Sequence, residues 1–185
     1  MLADRISDAV EDRLRQQHRG RSTLYRRELG ICVGAGRIDV AAVNGVITGC
    51  EVKSARDGLG RLPQQIELYG RVVDTAILVV ERARPDRVAN QVPEWWGVWH
   101  AVEETDELVR LDVLRDPSPN PGIDPFAVAQ LLWRNEAFDI LRERGLHRGL
   151  SSATRWRLWG VLATELSLDL LRHEVRWRLK ARPQW

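Results

Sequence analysis

The stretch RIDVAAVNGVITGCEVKS, residues 37–54, decides the fold. Two apolar runs flank Asn44-Gly45, a strong short-range hairpin signal. They nevertheless carry Asp39, Glu51 and Lys53 where strands favour valine and threonine. Alternation puts Glu51 and Lys53 on one face and Cys50 and Val52 on the other. The side taken by Asp39 depends on the turn. A two-residue loop at Asn44-Gly45 sets Val43 opposite Val46 and Asp39 opposite Cys50, and the two carboxylates part. A three-residue loop, Val43-Asn44-Gly45, with Gly45 left-handed in a bulge, sets Ala42 opposite Val46 and Asp39 opposite Gly49. Asp39 is then diagonal to Glu51 on one face, and Gly49 leaves room beside it for an ion.

Outward from the hairpin, Leu2, Ile6, Val10 and Leu14 recur at steps of four and predict an amphipathic helix over residues 2–17. LYRRELGICVG becomes strand-like at Leu29–Val33, and a loop, ARDGLG, follows the hairpin. A helix is expected from about Leu62 to Val73, with Pro63 in its first turn. TAILVVE reads as a strand covered on both faces. PEWWGVWHAVEE and ELVRLDVL form a further strand pair joined by the acidic turn EETDE. The order α, β, β, β, α, β, β, β implies a mixed sheet flanked by helices, residues 1–115. DPSPNPGIDP holds four of the eight prolines and marks 116–124 as a linker. Residues 125–185 then form an extension of two helices, from Pro125 to Arg144 and from a Ser151 cap to Ala181. The second carries a leucine stripe, packed on the sheet or in a homodimer.

A chain of 185 residues with 29% charged side chains is an ordinary globular composition. Its apolar runs fall far short of the roughly 20 residues of a membrane span. The early acids of the N-terminus differ from a secretory signal, so a cytoplasmic protein without a membrane partner is expected. Cys32 and Cys50 complete neither a disulfide framework nor a zinc site, and both are expected as buried strand residues. The four histidines show no ligand spacing. A net charge of +2 leaves room only for a local basic face. Of 28 basic residues, Lys53 and Lys180 are the only lysines. A compact ammonium suits a site where one water or phosphate oxygen is met at a point.

Two nearby carboxylates stay charged only with a cation beside them. Oxygen ligands favour Mg²⁺, with Mn²⁺ as a substitute. Lys53 beside them would act on a water or on phosphate charge. Asp39, Glu51-Val52-Lys53 and a following helix with Gln65 and Tyr69 resemble the PD-(D/E)XK nuclease superfamily. More narrowly, residues 37–80 together with VPEWWGVW resemble a bacterial branch of it. The resemblance implies an α/β, restriction-endonuclease-like fold and a Mg²⁺-dependent endonuclease acting on DNA. It implies Asp39, Glu51 and the Val52 carbonyl as metal ligands, Lys53 on the attacking water, and Gln65 on the helix. It also implies supporting residues: Tyr69, and an acid near the N-terminus, Glu28 or Glu11. Ile38 stands where the motif often has proline.

Plainer readings exist for each feature. A lone Glu-x-Lys pair on a solvated strand contributes little, although that leaves Asp39 unexplained. Arg56 and Arg61 are candidates for phosphate contact or simply solvated loop residues, and Asp57 suits a turn cap. Trp95, Trp96 and Trp99 stack bases or, more simply, fill the gap between the last strand pair and the tail helices. The tail arginines either follow a phosphate backbone or keep a helix soluble. The rival functions are an RNA nuclease and a catalytically silent nucleic-acid-binding module.

Overall fold

The N-terminal periodicity buries what its spacing dictates. Helix α1 (Leu2–Gln17) sets Ile6, Val10 and Leu14 against Val40, Ala42, Cys50, Val52, Ile77, Val79 and Trp99 of one sheet face. The structure, a computed structural model, describes residues 2–81, 85–105 and 108–183; the Leu2 side chain and the end of the acidic turn, Asp106 and Glu107, lie outside.

Strands β1 (Leu24–Ile31), β2 (Gly36–Val43), β3 (Ile47–Lys53), β4 (Thr75–Val80), β5 (Gly97–Glu103) and β6 (Val109–Arg115) form one sheet in chain order. β3, β4 and β5 run parallel and the flanking pairs antiparallel. The chain is thus α/β, with a six-stranded mixed sheet flanked by helices. Parallel neighbours need a crossover. The first is α2 (Leu62–Gly70), with Pro63 in its first turn. The second carries the short α3 (Pro85–Ala89), which the sequence did not signal. β4 is buried from Ala76 to Val80, as a doubly covered strand must be.

Three expectations are corrected. β1 begins at Leu24 rather than Leu29, with the Tyr25 ring 4.3 Å beneath the Arg15 guanidinium. At Cys32 the chain leaves the sheet in a 3-10 turn, Cys32–Gly34, so this thiol is half-buried and not in a strand. The tail holds four helices instead of two: α4 (Pro125–Ala129), α5 (Arg134–Glu143), α6 (Arg155–Glu165) and α7 (Leu168–Ala181). α6 is capped by Thr154, not Ser151, and Ser167 caps α7. Leu166 beside that second cap is itself buried, so apolar spacing runs through a break that only the capping hydrogen bonds reveal.

α2 and α4–α7 cover the face opposite α1, in one core with Leu29, Ala41, Val43, Leu78 and Val80. Leu171, Val175 and Leu179 are fully buried there, so the leucine stripe is covered by its own chain. The proline-rich stretch is docked: Asn120 Nδ2 donates to the Gly70 and Val73 carbonyls, both at 2.8 Å, and Arg71 grips Asp124. Trp95 and Trp96 lie on this side, whereas Trp99 packs beneath α1 with Arg13 5.1 Å over its ring, contrary to a shared role for all three. Several tail arginines are held by carboxylates, Arg172 by Asp74, Arg178 by Glu143 and Arg182 by Glu136. No helix among the described residues is long and apolar enough to cross a membrane.

Asn120→Ala removes the donor of two carbonyls at the end of α2, and we expect urea denaturation to show a loss of about 1–3 kcal/mol. An unchanged midpoint would mean that the strap is held by its prolines and backbone alone.

Candidate functional site

The hairpin adopts neither expected register. Val43 pairs with Ile47, Ala42 with Thr48, Ala41 with Gly49 and Val40 with Cys50. The loop has three residues but is shifted by one, to Asn44-Gly45-Val46. Asn44 closes it, donating its N–H to the Val46 carbonyl at 3.0 Å and accepting the Val46 N–H on Oδ1 at 3.1 Å. Gly45 is not left-handed, so there is no bulge there. An Asn side chain that mimics a backbone turn does the work instead. The parity of this register still brings Asp39 and Glu51 to one face.

Asp39 is the one β2 residue in neither ladder. The β1–β2 register passes from Arg27↔Val40 to Leu29↔Ile38, and Glu28, which would face Asp39, has a φ of 57°. The β2–β3 ladder stops at Val40↔Cys50. Beyond it the Asp39 carboxylate accepts the Val52 N–H at 2.7 Å, replacing a backbone acceptor. The N–H and C=O of a strand residue face the same neighbour, so the Val52 carbonyl is directed into the same gap.

Glu51 is 1% exposed and surrounded by donors. Lys53 Nζ lies 2.7 Å from Oε1, Gln65 Nε2 donates to the same oxygen, and the Tyr69 hydroxyl donates to Oε2 at 2.9 Å. Four residues separate Gln65 and Tyr69, so one face of α2 delivers both. Gly49 does not leave space for an ion, as the other register suggested. A Cβ there would stand 3.1 Å from the Tyr69 ring and 3.1 Å from Val73, so its bareness admits Tyr69.

These groups end a cleft of about 600 Å³ walled by Gly34–Gly36, Glu28, Arg37, Arg61, Gln64 and Leu68, with Ala3, Asp4 and Ser7 of α1. Burial first, then the charge of Glu51, pushes the Asp39 carboxyl up to about 7, against the opposing pull of the Val52 N–H and Lys53. Burial and the two carboxylates push the Tyr69 phenol well up, so it remains a donor. Burial likewise raises the Cys50 thiol, which stays neutral on the α1 side.

The remaining candidates divide. Glu28 sits on the rim, paired with Arg37. Glu11 is not brought in; Arg15 and Arg27 hold it elsewhere on α1. Arg61 lines the cleft, whereas Arg56 is exposed outside it. Asp57 caps the turn through the Ser54 N–H and hydroxyl, at 2.7 and 2.6 Å. Sequence reasoning missed Asp4, which shares a helix face with Glu11 two turns away. The spacing offers both, and only the packing angle of α1 selects the end near the cleft. Among the described residues, no group of three or more His, Cys, Asp or Glu side chains is placed to hold a metal. A cation here would rest on Asp39, Glu51 and neutral oxygens.

Two comparisons with known proteins return matches. A family model described as Bacteriophage P4 protein cII matches residues 5–184. Protein cII of Enterobacteria phage P4 is 24% identical over 155 residues, covering 84% of this chain and 58% of that protein, so the chain spans little more than half its relative's length. Neither description names a nuclease. No solved structure matches.

Two outcomes follow from this geometry. Gly49→Ala displaces Tyr69 and should cost about 1–3 kcal/mol in urea unfolding; no loss would mean that the ring yields freely. The raised Asp39 keeps its proton in the fold after the unfolded chain has lost it. Its effect therefore lowers stability as pH rises from the ordinary Asp value of about 4 to about 7, and is constant above that. Asp39→Asn should raise the melting temperature in EDTA more at pH 8 than at pH 5. An equal gain at both would show an ordinary carboxyl.

Proposed function

The chain belongs to the bacteriophage P4 protein cII family, and from the geometry of its cleft we propose that it is a Mg²⁺-dependent nuclease of restriction-endonuclease-like fold acting on DNA. The observation that carries the reading is the gap where the β2–β3 ladder stops. It holds Asp39, Glu51, Lys53 and the Val52 backbone at the end of an open cleft.

The donor set suits a hard divalent cation. Asp39 and Glu51 share a face, and their mutual repulsion needs a positive charge. Gln65 Oε1 is buried without a hydrogen-bond partner, an acceptor left for a cation, a water or a substrate. Asp39, Glu51 and the Val52 carbonyl would hold Mg²⁺ or Mn²⁺, which supplies Lewis acidity toward a phosphate oxygen and acidifies water.

The chain's own residues do the rest. Gln65 and Tyr69 fix both oxygens of Glu51, so its carboxylate cannot rotate away. Lys53, 4% exposed, places an ammonium beside the reacting region to orient a water or offset phosphate charge. Arg61 and Arg37 on the cleft wall are suited to hold the flanking backbone.

One observation favours the silent binding module as a second reading: the Lys53–Glu51 ion pair consumes the groups that chemistry would use. A cleavage panel of single-stranded, double-stranded and branched DNA and RNA, with Mg²⁺ or Mn²⁺, separates the two. We expect metal-dependent cleavage of DNA, stopped by EDTA. It should fall at least about 100-fold in Asp39→Asn, Glu51→Gln and Lys53→Met, each with an intact circular dichroism spectrum. Cleavage of RNA alone would move the substrate, and an inert wild type would leave the binding module.

A further inference from the structure

A second cleft lies at the other end of the β2–β3 hairpin. It has a volume of about 580 Å³ and is lined by the hairpin turn Asn44–Val46, Arg21 and Ser22, and four residues of α7: His173, Arg176, Trp177 and Lys180. Those four recur at i, i+3, i+4 and i+7, a single helical face away from the buried Leu171, Val175 and Leu179.

The chemistry of this face is one-sided. Arg21, Arg176 and Lys180 bring three cations together, and among the described residues no acidic one lines the cleft. Lys180 is one of the two lysines in the chain, and the other, Lys53, stands in the acidic cleft. Asp74 lies behind the cluster, engaged with Arg172 and 3.6 Å from Arg176 Nη1. That nitrogen is buried in this loose ion pair and makes no hydrogen bond, so Arg176 is only partly neutralised from behind. Trp177 is 52% exposed on the same wall; Arg178 packs over its ring at 4.6 Å, and the rest of the indole faces solvent, where a base can reach it.

Cations that hold phosphates beside an open aromatic face match an unpaired strand, because a base within a duplex is already stacked on both sides. We propose that this cleft binds single-stranded polynucleotide, with phosphates on Arg21, Arg176 and Lys180 and a base stacked on Trp177. Asn44 lies five residues from Asp39 along β2, about 17 Å in an extended strand. That is roughly five phosphate spacings of a stacked strand, and the buried Val40–Val43 segment separates the two clefts. The inference extends the nuclease reading by naming where a strand is held, yet it concerns binding alone.

The test is fluorescence anisotropy with a labelled oligothymidylate of 20 nucleotides and a duplex of equal length, in EDTA so that no cleavage enters. Wild type should bind the single strand at least about tenfold more tightly than the duplex. Trp177→Ala should weaken that binding about tenfold, with Trp177→Phe restoring most of it. Arg21→Gln with Lys180→Gln should reduce the slope of log K against log salt by about 1.4. Binding is read in EDTA and cleavage in Mg²⁺, so the failure of this inference is distinguishable from the failure of the catalytic one. All these positions are exposed, and thermal melts confirm that the variants fold. The proposal is overturned if wild type does not bind, if duplex binds as tightly as single strand, or if the Trp177 and Arg21/Lys180 variants bind unchanged.

Discussion

A carboxylate taken out of water must be paired, and Glu51 at 1% exposure sets the terms for its surroundings. Lys53, Gln65 and Tyr69 all donate to it. For Tyr69 to reach it, α2 must lie close over β3, which Gly49 permits by offering no Cβ. The crossover from β3 to β4 is thereby fixed in height as well as in hand. The Asn120 strap, the end of α2 and the entry to β4 then lock the same region from the other side.

Asp39 is the counterpart, a residue placed by interruption. Paired on both sides, it would be an ordinary strand position. Glu28 in the left-handed region opens one ladder and the end of the β2–β3 pairing opens the other. Cys32 and Val33, also left-handed at φ 50° and 58°, turn the chain into the Gly34–Gly36 wall. A β-branched residue such as Val33 rarely adopts this conformation. Backbone departures of this kind persist where the surrounding packing over-determines them, and they cluster at functional sites.

The sheet divides the molecule by charge. One end of the hairpin presents acids together with Lys53, Arg37 and Arg61, and the other presents cations with an exposed indole. The helical layer makes the second end possible: α7 buries its leucines in the shared core and turns His173, Arg176, Trp177 and Lys180 outward. Other arginines of the tail are spent on Asp74, Glu136 and Glu143, so their number in the sequence overstates the basic surface.

The sequence alone determined the order of the six strands with α1 and α2, the α1 stripe and the doubly covered β4, each from a local period: two residues for a strand, about four for a helix. Alternation put Glu51 and Lys53 on one face, and the family resemblance grouped them with Asp39, Gln65 and Tyr69. Tertiary structure decided the rest. The hairpin register goes with an Asn44 side-chain bond in place of a glycine bulge. The helix breaks before α5 and α7 follow from the caps at Trp133 and Ser167. That Asp4 borders the cleft while Glu11 is held by Arg27 depends on how α1 lies on the sheet. Periodicity tells a residue which face it occupies. Only packing tells it what stands opposite, and a site is made of what stands opposite.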